Sequence, residues 1–376
     1  MPPTSAPHPL DIAILGTRGV PANYGGFETF AEELSTRLVK RGHRVTVYGR
    51  SHFVPRSPGE YRGVRLRVLP CIRQKYLDTV THTALSTLVA LFSSHQVLLV
   101  CNAANAFLCA LPSLAGQKVV LNVDGIERQR KKWNSLGRWV YRLGEFLSTV
   151  LPDQVIADAL VIQEYYEQEY GFRARFIPYG ALVGRTEATG TLDRLGLTPG
   201  DYVMYVSRLE PENNAHIVME AHTRSGAPQP LVVVGDAPYS RDYIARLKRQ
   251  AEGKNIVMPG AIYGEGYREL LSHCRCYVHA TEVGGTHPAL IEAMGAGCLV
   301  IVNDTRENRE VLGEAGLIYR FNDPDSLAAL IRRVCCSSEG FESYKTQAQE
   351  RVSRCYDWES VVDKYEQVFR ELVARG

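Results

Sequence analysis

The sequence predicts an α/β protein made of two Rossmann-like domains facing each other across a cleft. Three observations carry that expectation. The chain opens with an apolar strand, a glycine-rich loop, an amphipathic helix and a second strand. From Tyr202 a second series of alternating strands and helices begins. Between the two series, Gly180–Gly200 holds Gly, Thr and scattered charges without an apolar period, the composition of an interdomain linker. At 376 residues the chain is also too long for one ordinary core. The expected domains are 1–179 and 180–357.

The first series reads in order. Asp11–Leu15 is a short apolar strand, and Gly16 to Gly26 is a glycine-rich loop that also carries Gly19, Asn23, Tyr24 and Gly25. Phe27 to Arg41 has apolar residues at 27, 30, 31, 34 and 38, a helical period. Gly42 stops that helix, and Arg44–Tyr48 is the next strand. The unit is of the doubly wound type, but it lacks the G-x-G-x-x-G dinucleotide fingerprint. Val64–Leu69, Gln96–Cys101 and Lys118–Asn122 read as strands, with helices over 78–93 and 106–115. Asp124-Gly125 follows a strand at its carboxyl end, where open α/β sheets bind ligands. The segment 127–142 is basic, aromatic and amphipathic. It is either a solvated helix face or a contact for an anionic membrane surface or a diphosphate acceptor. Asp153–Ala157, a helix over 159–170 and Ala174–Ile177 complete the series.

In the second series the strands are Tyr202–Val206, Leu231–Val234, Asn255–Met258, Cys276–His279, Cys298–Val302 and Leu317–Tyr319. Helices lie between them and over 323–336, 341–354 and 358–374. Successive units of this kind form parallel sheets.

Composition narrows the function. An apolar fraction of 45% and a charged fraction of 22% belong to a soluble globular protein. A net charge of +2 gives no general nucleic-acid signal. The nine cysteines, several inside apolar runs, read as buried thiols in a reducing compartment. Cys274-x-Cys276 is too closely spaced for zinc, no His/Cys/Asp cluster has metal-ligand spacing, and Asp323-Pro-Asp325 looks like a helix start. Residues 1–10 have no basic or apolar region of a signal peptide, and Thr83–Cys101 is interrupted at Ser93–Gln96, so no transmembrane span is expected.

The most informative stretch is Thr281–Val302, TEVGGTHPALIEAMGAGCLVIV. Val283-Gly284-Gly285 is a tight loop, Thr286 or His287 an N-cap, and Pro288 fits the first turn of a helix. A glycine pair opening onto a helix N-terminus offers free N–H groups and a positive dipole end to a phosphate. Glu292, one turn inside, either accepts hydrogen bonds from sugar hydroxyls beside that phosphate or is solvated. His287 either touches the same ligand or only caps the helix.

These residues meet a family. The segment Tyr202-Val-Met-Tyr-Val-Ser-Arg208-Leu-Glu-Pro-Glu, the turn Val234-Gly235-Asp236 and the block from Glu282 to Gly297 resemble the C-terminal half of retaining, two-domain (GT-B) glycosyltransferases of the family 4 type. GTRGVPANYGGFETFAEEL and NVDGIERQRKKW resemble one branch, the rhamnosyltransferases of bacterial cell-surface polysaccharide assembly. The resemblance covers nearly the whole chain, and it implies that the C-terminal helix, within 358–376, crosses back to complete the 1–179 domain. It implies that Gly284, Gly285 and Thr286 cradle the donor diphosphate and sugar, with His287, Asn213 and Gly235 also at the donor, and that Glu292 holds the ribose. Arg208 would neutralise the departing diphosphate, with Asp124 and Glu282 beside it as the catalytic set. Gly19, Asn23, Tyr24, Gly25 and Gly26 would form an acceptor or phosphate loop.

Three positions depart from the family. Its first paired glutamate falls at Gly284, with Glu282 the nearest acid. Its diphosphate lysine is Asn213, and its sugar-contacting histidine is Asp124. A 6-deoxy sugar lacks the hydroxyl that histidine would meet. The expected function is therefore transfer of a sugar, best L-rhamnose from dTDP-rhamnose, to a glycan or lipid-diphosphate-linked acceptor. The anomeric configuration would be retained by front-face attack, without metal or cofactor. The expected place is the cytoplasm, peripherally at the inner membrane face. Rival readings are an inactive sugar-nucleotide-binding scaffold and a nucleotide-sugar epimerase on the same fold.

Overall fold

The computed structural model describes residues 8–375 apart from Tyr24, Arg56, Pro58, 75–76, 127–134 and 337–339. Two compact units appear. One holds the chain to Asp124, the stretch ending at Pro178, and the residues from Trp358 on; the other holds Tyr179–Asp357 together with Gly125 and Ile126.

The first unit runs β1 (Asp11–Leu15), α1 (Gly26–Lys40), β2 (Arg44–Arg50), β3 (Glu60–Tyr61), β4 (Val64–Leu69), α2 (Asp78–Leu91) and β5 (Val97–Cys101). It continues with α3 (Ala110–Leu114), β6 (Lys118–Val123), α4 (Ser135–Ser148), β7 (Gln154–Ala157), α5 (Leu160–Tyr170) and β8 (Arg175–Phe176). The sheet order is β3-β4-β2-β1-β5-β6-β7-β8, parallel except for the β3–β4 pair. Every residue of β1 and β5 is buried, as expected for strands covered on both faces. Each fully buried Leu or Ile there stabilises the fold by roughly 2 kcal/mol relative to an exposed one.

The second unit runs α6 (Gly190–Leu195), β9 (Val203–Val206), α7 (Ala215–Ser225), β10 (Leu231–Val234), α8 (Arg241–Ala251), β11 (Ile256–Gly260) and α9 (Gly264–His273). Then come β12 (Cys276–His279), α10 (Pro288–Gly295), β13 (Val300–Asn303), α11 (Arg306–Leu312), β14 (Leu317–Tyr319), α12 (Pro324–Cys336) and α13 (Glu342–Cys355). Its all-parallel sheet has the order β11-β10-β9-β12-β13-β14. Val203, Val233, Val278 and Ile301 share one core with Met219 and Ile331 from the covering helices.

The final helix, α14 (Trp358–Ala374), packs in the first unit. Phe30 and Tyr365 meet with ring centroids 5.3 Å apart, and Asn122 Nδ2 donates to the Tyr365 hydroxyl at 2.7 Å. Arg41 pairs with Glu359, Asp363 and Glu366 along its outer face.

Three local expectations need correction. The stretch expected as a linker contains α6, whose Leu192 and Thr191 are buried and whose Thr191 N–H donates to Glu269 of α9 at 2.5 Å. Six residues are too few for a helical period to show. The helix expected over 106–115 begins earlier, as a 3-10 segment over Ala103–Cys109. Asn102 starts it by accepting the Ala104 N–H at 2.9 Å, and it passes into α3. The two-residue β3, antiparallel to β4, is too short for alternation to reveal.

Candidate active site

Each sheet has one place where the strand order reverses, and there the loops after neighbouring strands diverge to leave a crevice. In the second unit that place lies between β9 and β12. The loop after β9 carries Arg208, and the loop after β12 carries Glu282 to His287.

Arg208 is held by its backbone. Its carbonyl accepts from Asn213 Nδ2 at 2.6 Å, from the Ser207 hydroxyl at 2.9 Å and from the Glu210 N–H at 2.7 Å. Its half-buried guanidinium makes no hydrogen bond or ion pair among the described residues, which sets aside a surface salt bridge there. Gly235 has φ +146, and a Cβ on it would fall onto the Ser207 carbonyl oxygen. Asn213, expected at the donor, instead spends its amide on the Arg208 carbonyl. Its own carbonyl accepts from the Tyr205 hydroxyl at 2.5 Å. Sequence spacing alone cannot show that commitment.

After β12, Gly284, Gly285 and Thr286 are buried. Of the two N-cap candidates, His287 takes the N-cap position of α10, without a side-chain capping bond of its own, and Pro288 its first turn. The imidazole of His287 instead lies over Gly284 and against His279, with ring centroids 4.7 Å apart. Glu282 is anchored: its Oε1 accepts from Asn214 Nδ2 at 3.1 Å and Asn322 Nδ2 at 2.6 Å. Asn303 ties these residues to β13, donating to Asn322 Oδ1 at 2.8 Å and accepting the Asn322 N–H at 2.9 Å. This asparagine network was missed in the sequence; it joins Asn214 at the start of α7, Asn303 at the end of β13 and Asn322 shortly after β14. Glu292 Oε2 accepts from the Tyr267 hydroxyl at 2.9 Å, and burial together with Glu292 holds that phenol well above the ordinary range.

In the first unit the strand order reverses between β1 and β5. The loop after β1 is pinned by α1. Glu28 accepts the Arg18 N–H at 2.9 Å and Glu32 the Ala22 N–H at 2.6 Å. Gly19 sits hard against Gly49 and Val54, Gly25 is the N-cap of α1, and Gly26 is its first residue. Asn23 donates its amide to the Phe53 carbonyl at 2.9 Å, so it shapes the loop. Tyr24 lies outside the described residues. Asp124, half-buried, follows β6, and burial first, then Glu28 and Asp124, push the Cys101 thiol up.

One cluster forms in space that no spacing in the sequence announces. His52, Cys71 and Asp78, far apart in sequence, bring ligand atoms within 4.8 Å of one another. Asp78 is already engaged there, by the buried Arg50 at 2.9 Å and by the Cys71 thiol at 2.9 Å. Cys274 and Cys298 are buried free thiols whose sulfurs lie 3.6 Å apart, and Asp323 caps α12 by accepting from Asp325 and Ser326.

Two family models match this chain in succession. Residues 24–181 match "Glycosyltransferase Family 4", and residues 200–337 match "Glycosyl transferases group 1". The chain carries the paired domains of a family 4 glycosyltransferase. Among curated proteins, the O-antigen chain mannosyltransferase B of Escherichia coli is 25% identical over 150 residues, 39% of each chain. The chain spans at most 39% of the length of the curated relatives it matches. Among solved structures, the sucrose-phosphate synthase of Thermosynechococcus elongatus superposes with a TM-score of 0.80 at 18% identity, covering 98% of this chain and all of that one. Anabaena HepE in complex with UDP-glucose gives 0.78 at 18% identity, covering 96% and 99%. The fold of this family 4 glycosyltransferase is thus GT-B. In it, Arg208 and the 282–287 loop flank the switch point of one sheet, and the 16–26 loop flanks that of the other.

Proposed function

We propose that the protein transfers a sugar from a nucleoside diphosphate donor to a glycan acceptor of cell-surface polysaccharide assembly, with retention of anomeric configuration. The carrying observation is Arg208. It is a half-buried cation without a partner among the described residues, beside a glycine pair that opens onto the N-terminus of the eight-residue α10. The backbone N–H groups of that helix and the guanidinium suit a diphosphate. They stabilise the charge that grows on it as the anomeric C–O bond breaks. The acceptor hydroxyl attacks from the same face and passes its proton to the departing phosphate oxygen. Glu282 orients sugar hydroxyls, and Glu292, set by Tyr267, holds the ribose. No step calls for a metal or cofactor. HepE, which binds UDP-glucose, and the O-antigen mannosyltransferase support this substrate class.

The donor of choice is dTDP-rhamnose, and the acceptor is lipid-diphosphate-linked at the inner membrane face. Helix α4 supports that placement. Trp139, Val140, Leu143 and Phe146 are exposed along it, Trp139 at 62%, with Arg138 and Arg142 interleaved and its one acid, Glu145, buried. The 3-10 segment on which α4 packs also meets α2 and α3, at whose C-terminal ends Phe92 is 92% and Leu114 85% exposed. An apolar stripe edged by arginine suits an anionic lipid surface. Of the segment 127–142, residues 127–134 lie outside the described ones. No helix among the described residues is long and apolar enough to cross a membrane.

The test is calorimetric titration with nucleoside diphosphates and dTDP-rhamnose, followed by NMR of the transfer product. Diphosphate binding and a product with the donor's anomeric configuration are expected. An inverted product, or a covalent glycosyl-enzyme in the mass spectrum, overturns the front-face step. Binding without transfer to any lipid-linked acceptor favours the scaffold, which the loss of Asn213 to a bracing role would fit.

A further inference from the structure

A side chain at position 284 and the His287 imidazole compete for one space. A Cβ built on Gly284 falls inside that ring, with Nδ1 at 3.0 Å and Nε2 at 3.2 Å. Gly284 does not have positive φ, so space alone demands glycine there. Behind the ring stands His279, the last residue of β12. It is 3% exposed, and its Nε2 has no hydrogen-bond partner among the described residues. Burial, and then the neighbouring imidazole, hold His279 well below its ordinary pKa, so the backing ring is neutral. The carboxylates on either side are oriented by neighbours, Glu282 Oε1 by two asparagine amides and Glu292 Oε2 by Tyr267. The ring that fills the space beside Gly284 is an imidazole packed at a tilt of 48° against a second imidazole.

We propose that His287 is the residue that selects the donor sugar, and that it selects a deoxysugar. The inference rests on the reading that this loop binds the nucleotide sugar. A carboxylate in that space accepts hydrogen bonds from two hydroxyls at once. An imidazole offers at most two polar ring atoms and an apolar face. Ring against ring, it presents a surface that accommodates a methyl group and gives an additional hydroxyl little return. Discrimination by such a surface is modest, on the order of 10- to 200-fold for a single group.

The experiment uses the full chain and donors that differ only in the 6-hydroxyl: dTDP-glucose with dTDP-6-deoxyglucose, and GDP-mannose with GDP-6-deoxymannose. Free dTDP and GDP serve as the control for the site itself. Three proteins are compared by calorimetry and donor turnover: wild type, His287→Asn, and the exchange Gly284→Glu with His287→Ala. Wild type is expected to favour the deoxy member of the pair it binds by about tenfold or more. His287→Asn should erase that preference while diphosphate affinity stays within a few-fold. The exchange should turn the preference toward the hydroxylated member. Equal affinity for both members in wild type, or an unchanged ratio in His287→Asn, overturns the inference while diphosphate binding leaves the donor site standing. If neither diphosphate binds wild type, the donor site itself is wrong and the inference falls with it.

Discussion

Gly235 faces the carbonyl oxygen of Ser207 so closely that no side chain fits between them. The contact joins the ends of β9 and β10 and fixes the turn from which Arg208 projects. Gly235→Ala should therefore cost stability and displace Arg208 together. The expected loss is about 1–3 kcal/mol in urea unfolding, from a forced φ of +146 and the overlap. It should be accompanied by weaker diphosphate binding. Unfolding like that of wild type would show that the two strand ends do not meet as described.

Arg208→Ala separates binding from folding. The guanidinium has no partner among the described residues to lose, so stability should change by no more than about 0.5 kcal/mol. Losing a charge-assisted contact to the diphosphate should cost about 1.5–3 kcal/mol, roughly 10- to 100-fold in Kd. Calorimetry with the nucleoside diphosphate reads the second number. An unchanged Kd removes Arg208 from the site.

His82 makes the first unit acid-sensitive. It is fully buried, and its Nε2–H donates to the Gly49 carbonyl at 3.0 Å. Burial, then the charge of Arg50, lowers its pKa from 6.5 to about 4. Between those two values the unfolded chain takes up a proton that the folded chain refuses. Stability is therefore complete above pH 6.5 and falls as the pH drops toward about 4. The slope from this one group approaches about 1.4 kcal/mol per pH unit. His82→Gln keeps a donor for Gly49 and cannot titrate. Urea unfolding from pH 7 to pH 4.5 should be flatter by roughly that slope; parallel curves would exclude His82 as the source.

The α4 stripe gives a lipid prediction. Trp139→Ser with Phe146→Ser should weaken sedimentation with phosphatidylserine vesicles by about tenfold or more, since each aromatic loses roughly 1.5–3 kcal/mol of buried apolar area. Turnover of a water-soluble acceptor should be unaffected. Vesicle binding that survives both changes would dispose of the membrane contact at α4.

What could be read in the sequence were the parts with a local signal. Strands such as β1, β5 and β10 declare themselves because a chain buried on both faces must be apolar throughout. Helix α1 shows its 3.6-residue period over four turns, and Pro288 marks the start of α10 at the glycine pair. The six-residue α6 and the two-residue β3 are shorter than their own periods, so nothing local announces them.

Tertiary structure decided what each polar side chain does. Asn23 in a glycine-rich loop and Asn213 at the family's diphosphate-lysine position look like ligand contacts, yet both are spent on loop carbonyls. Glu282 is set by Asn214 and Asn322, which lie 68 and 40 residues away in the chain. His52, just after β2, meets Cys71 and Asp78, which follow β4, because β2 and β4 pair side by side in the sheet. The imidazole over Gly284 is in the same class, since a glycine in a sequence does not say what fills the space it leaves. Hydrophobic order is written in periods along the chain, whereas hydrogen-bond partners are chosen by which loops the sheet order brings side by side.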